Sequence, residues 1–246
     1  MTSPSLRRCA VVLALAAAAL GPAPAALADS AAAPAAVDAV ATGDAQAAAA
    51  PGPGRCPRDG LLNFRSVLSG GTIRLGRSAT VTGSTGRACG VQVVDDAGAL
   101  ISRIRPANAA FAPVQTKVGL LSFPTTFRTA SVLQGPAGLG AQGLTAVLAG
   151  KVVATAEVPG GRCEIPLSLR LTTGRSGALT GRPFRDVEGV QTGRLVDGRF
   201  SVPAIRPSPG CNALTATLSN TLLGLPLEAG ESTVSYDATL TFGRVS

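Results

Sequence analysis

The chain has 246 residues, and its 22 Lys and Arg outweigh 14 Asp and Glu to give a formal net charge of +8 at pH 7. It contains no histidine, no tryptophan, one tyrosine, seven phenylalanines and five cysteines. The lack of histidine excludes Ser-His-Asp triads, Cys-His dyads, imidazole bases and the common catalytic zinc sites. The shortage of Trp and Tyr excludes the stacking platforms that hold sugars and single-stranded nucleic acid.

Residues 1–28 have the plan of a secretory signal peptide. Arg7 and Arg8 form the charged start, Ala10 to Leu20 an eleven-residue apolar run, and Ala26-Leu27-Ala28 a small-x-small cleavage site. The run is shorter than the ~20 residues that span a bilayer. Asp29 is therefore the expected mature start, and Cys9 departs with the peptide. Residues 29–54 are a different material, with 12 Ala among 26 residues and no Lys or Arg. Pro34, Pro51 and Pro53, with Gly43, Gly52 and Gly54, interrupt any helix the alanines would favour. A disordered spacer is expected there.

The folded region is 55–246, as one unit or as two sub-domains, 55–158 and 159–246. Removing Arg7, Arg8, Asp29, Asp38 and Asp44 from the totals leaves 20 basic and 11 acidic side chains, net +9, and 18 of the 20 are Arg. Four cysteines remain: Cys56, Cys89, Cys163 and Cys211. An even count in an exported chain predicts two disulfides, and no two of the four are close enough to suggest a metal knuckle. Of the three possible connectivities, Cys56–Cys89 and Cys163–Cys211 close loops within each half and are favoured.

Hydrophobic periodicity is two nearly everywhere. Leu61–Leu68, Thr72–Leu75, Ala79–Thr82, Val91–Val94, Leu100–Ile104, Val118–Phe123, Thr126–Leu133, Leu144–Leu148 and Val152–Val158 are expected strands, separated by Gly-rich turns. Ile165, Leu167, Leu169 and Leu171 alternate with Pro166, Ser168, Arg170 and Thr172. Leu195 to Phe200 reads as a hairpin, because Asp197-Gly198 suits a type I′ turn. Asn212 is placed to cap a helix over Ala213–Leu223, with Leu214, Leu218 and Leu222 on one face and Gly224 ending it. Val234, Tyr236, Ala238, Leu240 and Phe242 then alternate with Thr233, Ser235, Asp237, Thr239 and Thr241. The expected fold is all-β: sandwich-like antiparallel sheets with one short helix, stapled by two disulfides.

No motif for catalysis, cofactor or metal survives scrutiny. Gly138-Leu-Gly140-Ala-Gln-Gly143 matches a dinucleotide fingerprint in spelling, but a β-branched segment follows it where a helix is needed. Asp95-Asp96 with Gly98 reads as a turn, and Asp186 and Glu188 as a solvated loop. Ser176 sits between small residues, with no histidine to activate it and no motif pointing to Lys117 or Lys151 as a base.

The Ala/Pro-rich leader, Thr173–Pro183, Phe200-Ser-Val-Pro203, Cys211 and Gly224-Leu-Pro226 together resemble secreted β-rich proteins of actinobacteria. The resemblance implies export and carries no activity and no functional residue. The sequence therefore predicts a non-enzymatic secreted or envelope-associated protein without cofactor. Its expected partner is anionic envelope polymer or lipid, and nucleic acid is not expected. Two alternatives are an oligomeric β-structured pore of a mycolate-type outer envelope, and a hydrolase using carboxylate or serine without histidine. Pore strands need about 9–11 residues and an aromatic girdle, and the expected strands are mostly shorter.

Overall fold

A computed structural model describes residues 52, 54, 56, 57 and 59–243. The expected signal peptide and almost all of the spacer lie outside the described residues. The strands are β1 (Leu62–Leu75), β2 (Ala79–Val94), β3 (Leu100–Ile104), β4 (Ala109–Phe111), β5 (Val114–Val118), β6 (Leu121–Thr129) and β7 (Leu133–Gly140). They continue as β8 (Gly143–Val158), β9 (Gly161–Thr172), β10 (Arg175–Ser176), β11 (Leu179–Thr180), β12 (Arg182–Val187), β13 (Val190–Asp197) and β14 (Ser232–Gly243). One α-helix, α1 (Ala213–Leu223), precedes β14.

The all-β fold with one short helix and two disulfides is as expected, and every strand pairing is antiparallel. The pairing order β1-β14-β13-β12-β8-β6-β5-β2 returns to its start, because β2 pairs with β1. A second path from β2 to β8 runs through β3 and β7. The antiparallel sheet thus closes on itself through shared strands. The two longest strands make the junctions by changing partners along their length. β2 pairs with β5 over Ala79–Val81 and with β3 over Val91–Val94. β8 pairs with β6 over Val152–Ala156 and with β7 mainly over Gly143–Ala146. Strands from both sides of residue 158 share this one sheet, since β1 pairs with β14 and β8 with β9.

Several elements are longer than the local signals predict. Ser69-Gly70-Gly71 reads as a turn, yet Leu61–Leu68 and Thr72–Leu75 are one strand with a bulge between them. The ladders to β2 and β14 on either side outweigh the turn propensity. Gly71 is needed there, because a Cβ would strike the Tyr236 ring and the Ser84 carbonyl. Ala79–Thr82 and Val91–Val94 likewise merge into β2 across Gly83, Gly86 and Gly90. Conversely, Val118–Phe123 is two strands joined by a Gly119-Leu120 turn, with Val118 opposite Leu121. Thr126–Leu133 breaks after Thr129, and β7 begins at Leu133.

The period-two pattern resolves as expected into an apolar interior and a polar exterior. On β14, Val234, Tyr236, Ala238 and Leu240 are buried while Asp237 and Thr241 are exposed. Phe64, Ile73, Leu167, Phe184 and Leu195 join the same core. Two hydroxyl pairs sit within it, Ser84 with Tyr236 at 2.9 Å and Thr116 with Thr125 at 2.8 Å, each satisfying groups that water cannot reach. Burial pushes the Tyr236 phenol above its usual range, and the Ser84 hydrogen bond opposes this more weakly.

The Cys56–Cys89 and Cys163–Cys211 disulfides have the expected connectivity. The second ties the residue before Asn212 to β9 and so fixes the start of α1. Asn212 caps the helix, its Oδ1 accepting from the Thr215 amide at 2.9 Å, and Gly224 ends it in the left-handed conformation.

Candidate functional site

The residues that sequence singled out for chemistry are dispersed, and each has a structural task. Asp95 Oδ1 accepts from the Ala97 and Ala99 amides in the β2–β3 turn. Asp186 accepts from the Gly189 amide and the Gln191 side chain in the β12–β13 turn, where Glu188 is exposed. Gly138 to Gly143 is the β7–β8 hairpin, with Gly140 opposite Gly143. These three turns match their expected character.

Ser176 and Asp197 form a pair that the sequence did not reveal. The expected hairpin at Asp197-Gly198 does not exist; β13 ends at Asp197, and its carboxylate turns inward, 2% exposed. Asp197 Oδ1 accepts from the Ser176 hydroxyl at 3.2 Å and from the Arg199 amide at 2.9 Å, while Oδ2 accepts from the Arg170 amide at 2.6 Å. Ser176 Oγ in turn accepts from the Gly198 amide at 3.1 Å. Asp-Gly has turn propensity, but three donors held by β9, β10 and the following chain give the carboxylate a better place. The pair docks the β10–β11 loop onto the end of β13. Ser176 is buried and donates its proton to Asp197, so it is a clamp and not an exposed nucleophile.

The structure does bring together a set of groups suited to binding. Beside the first disulfide lies an open groove of about 950 Å³. Gly54, Cys56 and Pro57 form one wall, held against β2 by the bond to Cys89. Asn63 to Val67 of β1 and Thr241 to Gly243 of β14 line the rest, with Arg87 and Ala88 from β2. Arg65 lies opposite Cys89, and Val67 opposite Arg87, so Arg65 and Arg87 are diagonal neighbours on the exposed face of the β1–β2 ladder. Diagonal positions are about 7–8 Å apart, within reach for long side chains.

No carboxylate of the described residues lies within 4 Å of either guanidinium; the four ion pairs found among them are Arg105–Asp59, Arg128–Glu164, Arg162–Glu157 and Arg182–Asp237. Two neighbouring cations without a counter-charge make a site complementary to an anion, and guanidinium forks match phosphate and carboxylate bidentately. Half-exposed Val67 adds apolar surface on the same face as the arginines, while Phe242, opposite inward-facing Phe64, packs edge-on against it at 6.5 Å on the other face. Asn63 Oδ1 is buried beside them with no hydrogen-bond partner among the described residues. The pairing is invisible in the sequence, where the two arginines are 22 positions apart among many others. Only the β1–β2 hairpin register, which the irregularity at Ser69–Gly71 leaves unshifted, places them side by side.

No group of three or more His, Cys, Asp or Glu that could hold a metal occurs among the described residues. No helix among them is long and apolar enough to cross a membrane. Comparison with known proteins gives no match to a family model, a curated protein or a solved structure.

Proposed function

We propose that this is a non-enzymatic, exported envelope protein that binds an anionic polymer of the cell envelope through the Arg65–Arg87 groove. The observation that carries the proposal is the diagonal placement of Arg65 and Arg87 along an open groove, with no carboxylate of the described residues within 4 Å of either. Phosphodiester or carboxylate groups along a polymer fit the arginines, and its apolar or ring faces fit Val67 on the same face. The net charge of +9 on 55–246 draws such a polymer from a distance, and the groove fixes it. Export supplies the oxidising compartment that the two disulfides need.

The pore alternative has a mixed balance of support. β1, β2 and β8 have 14, 16 and 16 residues, so the strand-length objection falls. The burial pattern is nevertheless that of a water-soluble fold, with Phe, Leu and Ile inside and Thr, Ser and Arg outside, the inverse of a lipid-facing barrel. An interior cavity of about 60 Å³, lined mainly by Phe, Leu, Ile and Val, does not amount to a conducting lumen.

The experiment is co-sedimentation of the protein beginning at Asp29 with purified cell wall at low and high salt. The Arg65→Gln/Arg87→Gln double variant should bind at least tenfold more weakly at low salt. Equal binding by the two proteins would remove the groove from the proposal.

A further inference from the structure

The opposite end of β1 carries an apolar surface that the groove does not explain. Helix α1 is packed in an inverted manner. It buries Thr215, Ala216, Ser219 and Leu223 and leaves Leu214, Leu218 and Leu222 exposed by 69%, 54% and 44%. A surface helix ordinarily turns its large apolar side chains toward the core and its small polar ones toward water. The orientation is not free to reverse. The Cys163–Cys211 bond holds the residue before the cap, and Asn220 bonds to both the amide and the carbonyl of Ile205, at 2.7 and 3.0 Å. These contacts pin one flank of α1 to the 202–205 segment and leave the leucine flank open.

That open flank adjoins the β5–β6 hairpin. Ser219 and Leu222 of α1 share an apolar cavity with Val118 and Phe123. Leu121, opposite Val118, is half-exposed, and Leu120 at the tip of the turn is fully exposed at 105%. Five leucines from two elements therefore surround one end of the fold. Neither element carries an acid. The helix has no charged residue at all, and the hairpin from Val114 to Thr129 has only Lys117 and Arg128. Lys117 and, on the β1–β2 turn beside Gly224, Arg77 have no carboxylate within 4 Å among the described residues; of the acids nearby, Glu157 is paired with Arg162, while Glu228 and Glu231 are exposed beyond Leu227, which packs against Gly76.

We propose that this end docks onto an anionic lipid surface, with Leu120 and Leu121 entering the headgroup boundary and the α1 leucines lying along it. A protruding turn and the flank of a helix form a convex feature that suits a deformable lipid interface better than the flat, self-complementary patch of a twofold dimer. The cations at its border complement lipid phosphates, and the apolar side chains supply contact that salt does not screen. This surface is separate from the groove, since Arg65 and Leu75 lie near opposite ends of β1.

The test is flotation of the protein beginning at Asp29 with vesicles of phosphatidylglycerol and phosphatidylcholine, and with phosphatidylcholine alone. Partition onto the anionic vesicles is expected. Leu120→Ser/Leu218→Ser should lower it at least tenfold with an unchanged circular dichroism spectrum, because both side chains are exposed in the free protein. Arg65→Gln/Arg87→Gln should leave vesicle binding unchanged, which separates this surface from the groove. Failure of the parent protein to float, or equal flotation of the leucine variant, would overturn the proposal. So would a dimer in sedimentation velocity that the leucine variant abolishes, which would assign the face to a second copy of the chain.

Discussion

Replacing Asp197 by alanine probes the least expected interaction in the fold. The carboxylate is buried and accepts from the Ser176 hydroxyl and from the Arg170 and Arg199 amides. Each buried donor stripped of its acceptor costs about 1–3 kcal/mol. Water reaches the two partly buried amides after the truncation, so the expected total is about 3–5 kcal/mol rather than the full sum. For a domain of this size each kcal/mol moves Tm by about 2–4 °C, giving an expected fall of about 6–20 °C. Ser176→Ala removes one bond to the carboxylate and the acceptor of the Gly198 amide, and should cost about 1–2 kcal/mol. In the Asp197→Ala background the serine substitution should cost less, because its partner has already gone. Thermal unfolding of the disulfide-intact protein, followed by circular dichroism, measures all four corners of this cycle. A fall in Tm below about 2 °C for Asp197→Ala, or strict additivity with Ser176→Ala, would refute the clamp.

Further expectations follow from the same architecture. The Cys163–Cys211 bridge closes a 48-residue separation and Cys56–Cys89 one of 33; in the loop-entropy model each contributes about 4 kcal/mol, so Cys163→Ser/Cys211→Ser should lose about that much in urea unfolding. Non-reducing peptide mapping should find both bridges and no free thiol, and a peptide joining Cys56 to Cys163 would contradict the pairing. Tyr236 is the sole tyrosine, so ultraviolet titration reports on it alone; its phenol should ionise above the usual value of 10.0 in the folded protein. Because the folded pKa is raised, the unfolded chain releases this proton first. The associated stability is complete below pH 10 and is lost as pH climbs through the folded pKa. Ionisation at or below the ordinary value would mean that the Tyr236 hydroxyl is not buried.

Strand character, the helix with its caps and the disulfide pairing were legible because each depends on local pattern or on a small set of combinations. Alternation along Val234 to Leu240 needs only the pleat, and Asn212 and Gly224 mark helix ends by their own backbone chemistry. The misreadings share one cause. Glycine in Ser69-Gly70-Gly71 and at Gly83, Gly86 and Gly90 signals a turn when read locally. In the fold it admits a bulge, or lets a strand pass close to Tyr236 and Phe64. Asp197-Gly198 likewise reads as a hairpin turn, and only the approach of Arg170 and Ser176 from elsewhere in the chain turns the carboxylate inward. The groove lay beyond any local signal, because neither Arg65 nor Arg87 differs in its sequence surroundings from the other arginines. The leucine stripe was visible at positions 214, 218 and 222, but its exposure depends on anchors at Cys211 and Asn220 that no periodicity records.

The central claim is that two arginines set side by side by the β1–β2 register hold an anionic envelope polymer. Its most direct measurement is equilibrium binding of the protein beginning at Asp29 to purified anionic wall polymer across a salt series, run beside Arg65→Gln, Arg87→Gln and the double variant. Each lost guanidinium should weaken binding at low salt by about tenfold. The slope against salt should flatten with each substitution, while an exposed arginine away from the groove, Arg199→Gln, leaves binding nearly unchanged. Equal losses for Arg199→Gln and Arg65→Gln would reduce the interaction to net charge, and salt-independent binding by the double variant at parental strength would contradict the claim outright.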